Sequence, residues 1–192
     1  ANMPSRRDEL LRIAGRLFAE RGFGNTTVRD IADAAGILSG SLYHHFDSKE
    51  AMVDELLERF QSELFATYDA IVASGSSPRH KIEAVVRASF DAIDQHASEV
   101  AIFQNDAAYL STFERFAYLE ERSARFRSLW LDLLTQAVAE GELRSDLDVE
   151  LVYRFIRDTV WVAVRWYHPG GALTPDQVAE QYFAILFEGI SA

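Results

Sequence analysis

The chain has 192 residues, 48% of them apolar, no cysteine and a formal net charge of −11. That length supports one large domain or a small module joined to a larger one, and the missing cysteines exclude disulfides, thiolate metal sites and thiol nucleophiles. No apolar run approaches the ~20 residues of a membrane span, and Ala1 to Arg7 is polar and basic rather than signal-like, so a cytoplasmic protein without a membrane partner is expected.

Apolar residues recur at three- and four-residue spacing almost throughout, and no sustained two-residue alternation occurs, which predicts an all-α fold of about nine helices. The first helix is expected over Arg6 to Arg21, with Leu10, Ile13, Ala14, Leu17 and Phe18 on one face and Gly22 as its stop. Two short helices follow, Val28 to Ala35 and Ser39 to His45. Asp47-Ser48-Lys49-Glu50 has the form of a capping box, which predicts Asp47 as the cap of a long helix reaching Ala73. Ser74-Gly75-Ser76-Ser77-Pro78 breaks the chain, and Pro78 suits the first turn of the next helix. Further helices are predicted over 79–96, 99–109, 113–140, 149–167 and 175–188, punctuated by Gly141 and by His168-Pro169-Gly170-Gly171. The expected domains are residues 1–50, a three-helix DNA-binding domain, and residues 51–192, a helical domain for ligand binding and dimerisation.

The stretch from Thr26 to Phe46 holds two helical pieces around a glycine-containing turn, the pattern of a helix-turn-helix. Thr27 caps the first piece with Asp30 three residues on. Val28, Ile31, Ala32 and Ala35 face inward, and Gly36 allows the positive φ that turns the chain. Ile37, Leu42 and Phe46 then fill a three-helix core. That leaves Leu38, Ser39, Gly40, Ser41, Tyr43 and His44 as the outer surface of the second piece. Small residues approach a major groove closely, Ser41 meets base edges, and Tyr43 and His44 hydrogen-bond phosphates while packing on sugars. Lys49 adds a cation close to the DNA backbone. The acidity of the chain does not oppose this reading, because residues 1–50 carry no net charge and the whole of the −11 lies downstream.

From Arg6 to about Glu58 the chain resembles the DNA-binding domain of the TetR family of transcriptional repressors. The resemblance is carried by Phe18-Ala19-Glu20-Arg21-Gly22-Phe23, Thr26-Thr27-Val28-Arg29-Asp30-Ile31-Ala32, Ala35-Gly36, Leu42-Tyr43-His44-His45-Phe46 and Lys49-Glu50. It implies that Thr27, Tyr43, His44 and Lys49 hold phosphates while Leu38, Ser39, Gly40 and Ser41 lie at base edges. His45 stands where many members carry Tyr and receives no contact. So short a reading helix covers only a few base pairs, so a homodimer on a palindromic operator is expected. The family's dimer surface corresponds here to 149–167 and 175–188, where Val178, Tyr182, Phe183, Leu186 and Phe187 fit either that role or the core of one subunit.

The downstream half is rich in aromatic residues, most of which belong to a core. In the segment Tyr153 to Tyr167, the residues Arg157, Trp161 and Arg165 are four apart and would share one helical face, next to Trp166. Guanidinium groups beside indoles form a surface for a planar base and phosphates. The plainer alternative pairs these arginines with Asp106, Asp158 or another subunit's carboxylates. Phe103 and Trp130 are added as candidate apolar lining. Within the family, the runs Asp148 to Thr159 and Arg165 to Gly171 resemble actinobacterial repressors of late cholesterol degradation, the C and D ring stage. This implies a small-molecule effector, a coenzyme A thioester of a partly degraded steroid. A fatty acyl thioester or an unrelated lipophile is compatible with the same residues. Ligand binding is expected to favour a dimer whose heads no longer match successive major grooves, with the long fourth helix transmitting the change.

Two other classes compete. Enzyme candidates such as Asp94 with Glu99, or His80, His96 and His168, lack any accompanying phosphate loop, metal helix or nucleophile motif, so no catalytic residue, cofactor or metal is expected. A helical protein-interaction module would explain the acidic half but not the helix-turn-helix.

Overall fold

A computed structural model describes residues 3–190 and 192. Its described residues form nine α-helices and two 3-10 segments, with no strand. The helices are α1 (Arg6–Arg21), α2 (Val28–Ala35), α3 (Ser39–Leu42), α4 (Lys49–Ala73), α5 (Pro78–Gln95), α6 (Ala97–Leu110), α7 (Tyr118–Ala139), α8 (Val149–Trp161) and α9 (Pro175–Ile190). The 3-10 segments are Glu114–Phe116 and Val162–Arg165.

Caps explain most boundaries. The Ser5 hydroxyl accepts from the Asp8 N–H to open α1, and Gly22 with φ of 87° closes it. Ser77 caps α5 ahead of Pro78, and Asp148 caps α8. Thr174 and Gln177 exchange reciprocal bonds of 3.2 and 2.9 Å at the start of α9. The fourth helix departs from expectation. Its N-terminal acceptor is the Ser48 hydroxyl, 3.0 Å from the Ala51 N–H, so the cap lies one residue later than Asp47.

Three predicted helices are shorter or broken. The α-helical part of the second piece ends at Leu42, and one tighter turn carries the chain to Phe46 through bonds such as His45 N–H to Leu42 C=O, 3.0 Å. The span 113–140 is interrupted by the 3-10 segment that ends at Phe116, 1% exposed, before α7 begins. In 149–167 the α-helix stops at Trp161 and continues as 3-10, three residues per turn, which rotates Arg165 by roughly a third of a turn from the line of Arg157 and Trp161.

The chain forms two compact units, Ala1–Ser62 with Ser98–Phe116, and Glu63–Ala97 with Ala117–Ala192. The first therefore extends past residue 50 and takes in α6. Its core holds Leu10, Ala14, Phe18, Ile31, Ala32, Leu42, Val53, Leu57, Val100 and Ile102, each 1% exposed or less. Gly15 lets α1 lie close to its neighbours. A methyl group there would meet Leu56 at 3.4 Å and Ser98 at 3.8 Å. The second unit packs α5 against α7, α8 and α9 around Ile82, Val85, Val86, Ile93, Leu134 and Ile156. Val178 and Phe187 on α9 belong to this core, while Tyr182, Phe183 and Leu186 are half-buried. Leu151, Phe155 and Ile185 instead stand 49, 66 and 78% exposed on α8 and α9.

Candidate nucleic-acid interface and effector site

The reading head is built from its caps. Thr27 and Asp30 form a complete capping box on α2, with bonds of 3.1 Å to the Asp30 N–H and 2.9 Å to the Thr27 N–H. These bonds hold the Asp30 carboxyl below its usual range, helped by Arg21 and Arg29. Gly36 takes φ of +71°, a left-handed conformation that side-chain-bearing residues rarely adopt, and its N–H closes α2 onto Ala32 and Asp33. The turn then presents Leu38, 79% exposed, as the residue preceding α3. Gly40, Ser41, Tyr43 and His44 are exposed and Ser39 is half-buried, whereas Leu42 and Phe46 are buried beneath them. Ile31 and Ala32 are fully buried. Val28, Ala35 and Ile37 are half-buried at the edge of the same core.

Thr27, Ser39, Tyr43 and Lys49 line one concavity, together with Arg29. Arg29 was not singled out as a contact by the sequence pattern. Its side chain is 84% exposed and lies 3.9 Å from Asp33.

Lys49 differs most from expectation. Its Nζ donates to the carbonyls of Phe23 at 2.8 Å and Thr26 at 3.0 Å, and sits 4.3 Å from the centre of the Phe23 ring. The ammonium is therefore engaged with the loop that delivers Thr27 to the start of α2. The Phe23 N–H donates in turn to the Asp106 carboxylate on α6 at 3.1 Å. Asp106 was considered above as a partner for the arginines of α8, but its observed bond is to this peptide group. The Thr26 hydroxyl is buried and bonds Gly22 C=O at 2.8 Å. The loop before the head is thus held at both hydrogen-bonding ends of Phe23.

In the second unit an aromatic cluster gathers around Phe126 of α7. Its ring centre lies 5.9 Å from Tyr68, 6.5 Å from Trp130, 6.1 Å from Tyr153 and 6.2 Å from Trp161. Tyr68 is fully buried, and burial pushes its hydroxyl pKa up against the effect of its bond with Ser89. Arg157 stands 5.5 Å above the Tyr153 ring and binds Asp158 at 2.8 and 3.2 Å. Asp158 raises the pKa of Arg157 and is itself held below the usual carboxylate range. Burial pushes the Tyr153 pKa up, with Arg157 opposing the shift.

The candidate effector residues thus fall into separate places. Trp130 and Trp161 join the cluster, at 1 and 9% exposed, with Arg157 at its margin. Arg165 and Trp166 are exposed beyond the end of α8, because the helix changes period there. Phe103 is half-buried on α6, in the first compact unit. Among the described residues no group of three or more His, Asp or Glu is arranged to hold a metal. Nor is any helix long and apolar enough to cross a membrane.

Residues 10–56 match the family of bacterial regulatory proteins described as tetR, and residues 75–190 match a tetracyclin repressor-like C-terminal domain. The chain is 58% identical over 187 residues to the HTH-type transcriptional repressor KstR2 of Rhodococcus jostii (strain RHA1), covering 97% of this chain and 92% of that protein. It is 54% identical to KstR2 of Mycolicibacterium smegmatis over 97% of this chain and 91% of that one. The structure of the ketosteroid transcriptional regulator KstR2 of Mycobacterium tuberculosis superposes with a TM-score of 0.96 at 55% identity, covering 100% of this chain and 97% of that chain. A helix-turn-helix with an exposed reading turn, joined to the family's own C-terminal domain, places this chain in the TetR family of DNA-binding regulatory proteins rather than among enzymes.

Proposed function

We propose that the protein represses transcription as a homodimer on palindromic operator DNA and is released by a coenzyme A thioester of a steroid ring-degradation intermediate. The observation that carries the DNA half is Leu38, 79% exposed beside small and hydroxyl-bearing residues on a turn whose buried side is fully packed. Nothing in folding asks for that surface. Leu38, Ser39, Gly40 and Ser41 meet base edges, while Thr27, Tyr43, His44 and Arg29 contact phosphates. Lys49 acts as a positioning residue for the loop, through the carbonyls of Phe23 and Thr26. Two copies associate through the outer face of α8 and α9, where Leu151, Phe155 and Ile185 are exposed.

For the effector, the supporting features are the aromatic cluster around Phe126 and the guanidinium of Arg157 at its edge, which match an apolar ring system and an anionic carrier. The repressors of high identity include one described as a ketosteroid regulator, which favours a steroid-derived ligand over a fatty acyl one. Trp166 and Arg165 are the outer candidates for contacts to the same ligand. The ligand prefers a dimer whose heads do not fit successive major grooves, so it shifts the population away from DNA.

Operator release tests this directly. The dimer is held on DNA from its own promoter region and titrated with steroid-derived and fatty acyl-CoA thioesters, free CoA and the free acids. Release by the steroid thioester alone is expected, and Arg157→Met and Trp161→Leu should weaken it. Release by fatty acyl thioesters instead would replace the ligand class. Equal ligand affinity in both variants would remove these residues from the site.

A further inference from the structure

One buried donor in the second unit has nothing to donate to. Among the described residues the indole Nε1 of Trp130 is the buried side-chain nitrogen or oxygen without a hydrogen-bond partner, on a ring 1% exposed. An N–H group taken from water and left unpaired is costly, and native interiors pair nearly all such groups. Other hydroxyls of the second unit have theirs. The Ser89 hydroxyl donates to Val85 C=O at 2.7 Å, which leaves the Tyr68 hydroxyl as donor to Ser89 at 2.6 Å. Tyr167 donates to Asp94 at 2.5 Å, and Tyr182 is paired with Thr159 at 2.9 Å.

Tyr68, Trp130, Tyr153 and Trp161 are each 9% exposed or less, and Phe126, whose ring centre lies 5.9 to 6.5 Å from all four, is half-buried among them. A wall of rings selects a ligand by shape and gains little from distinguishing a hydrocarbon ring from one bearing oxygen. A single fixed donor makes that distinction, because a ligand lacking the oxygen leaves it unpaired.

We infer that Trp130 determines specificity by donating its indole N–H to an oxygen, ketone or hydroxyl, carried on the apolar ring body of the effector. This rests on the effector site proposed above and adds to it the chemistry that the ligand must present away from its anionic end.

The chain has three tryptophans, so a dimer labelled with 15N-indole tryptophan gives three resolvable N–H signals, assigned with Trp130→Phe, Trp161→Phe and Trp166→Phe. The probes are 1-hydrindanone and hydrindane, one bicyclic skeleton with and without the ring oxygen. The Trp130 signal should move downfield with the ketone and not with the hydrocarbon. Equal shifts, or no shift with the ketone, overturn the inference. In operator release by wild type, a steroid-derived thioester bearing a ring ketone should outperform its ring-deoxygenated counterpart by roughly tenfold. Thioesters that release DNA equally with and without the ring oxygen overturn the role of Trp130 while leaving the effector reading intact. If no thioester releases DNA but the ketone still moves the Trp130 signal, the effector reading fails and the donor assignment stands.

Discussion

Replacing Lys49 with methionine separates two roles that the same residue could play at a DNA-binding head. Methionine keeps much of the apolar stem and deletes the ammonium. The ammonium makes two bonds to carbonyls, 2.8 Å to Phe23 and 3.0 Å to Thr26, and lies against the Phe23 ring in a half-buried position. Charge-assisted bonds of this sort contribute about 1.5–3 kcal/mol, and partial solvation replaces some of the loss, so about 2 kcal/mol is expected for the pair. At roughly 2–4 °C per kcal/mol for a chain of this size, the melting temperature should fall by about 4–8 °C. Operator affinity should fall as well, because the loop that aims Thr27 is loosened. The slope of log affinity against log salt is the deciding readout. A lysine that neutralises a phosphate contributes about 0.9 to that slope, hence about two over both heads of a dimer. With the ammonium occupied by carbonyls, the slope should stay at the wild-type value. A slope reduced by about two, with an unchanged melting temperature, would refute the positioning role and restore the phosphate contact.

Three further outcomes follow from packing and charge. Gly36→Ala meets no atom within 4 Å, but φ of +71° should cost about 1 kcal/mol, seen as a fall in melting temperature of roughly 2–4 °C. Phe155→Glu changes a side chain 66% exposed, so helix content by circular dichroism should hold while sedimentation shows monomers and operator affinity drops roughly 100-fold or more. Asp91 is solvent-exposed, yet partial desolvation and then Asp176 and Asp94 raise its pKa, with Arg87 opposing. A carboxylate raised on folding destabilises when ionised, and that cost vanishes as pH falls through the raised value to the ordinary one. Asp91→Asn should therefore raise the melting temperature slightly at pH 7, with solvent screening keeping the gain small, and the difference from wild type should disappear as pH falls below the ordinary carboxylate value.

The helices of the head were legible because their signals are local. Thr27 with Asp30 and Gly36 with its positive φ are short-range chemistry, and the core positions Ile31, Leu42 and Phe46 follow helical spacing. That Leu38, Gly40, Ser41, Tyr43 and His44 face outward was legible for the complementary reason, since residues with no inward direction must face out. Period and composition failed where a distant neighbour decides. The spans 113–140 and 149–167 read as continuous helices, yet the first is interrupted by the 3-10 segment that ends at buried Phe116 and the backbone tightens after Trp161. Lys49 read as an outward cation because nothing within ten residues of it indicates the carbonyls of Phe23 and Thr26. The Asp106 bond to Phe23 spans 83 positions and leaves no trace in either local pattern. Trp130 read as candidate apolar lining, but spacing does not say what an indole N–H will meet.

The makeup of the first unit has a practical consequence for chimeric repressors. A graft that moves only residues 1–62 onto a foreign effector domain would carry Lys49, with its hold on Phe23 C=O, but would leave behind Asp106, which accepts the Phe23 N–H. The backbone fixes the polarity of both partners, since an N–H requires an acceptor and a C=O a donor. Whatever residue the recipient offers at the position of Asp106 must therefore be an acceptor of similar reach. A transplant that also brings residues 98–116 keeps the loop closed at both ends, so the transferable cassette is two pieces of chain rather than one.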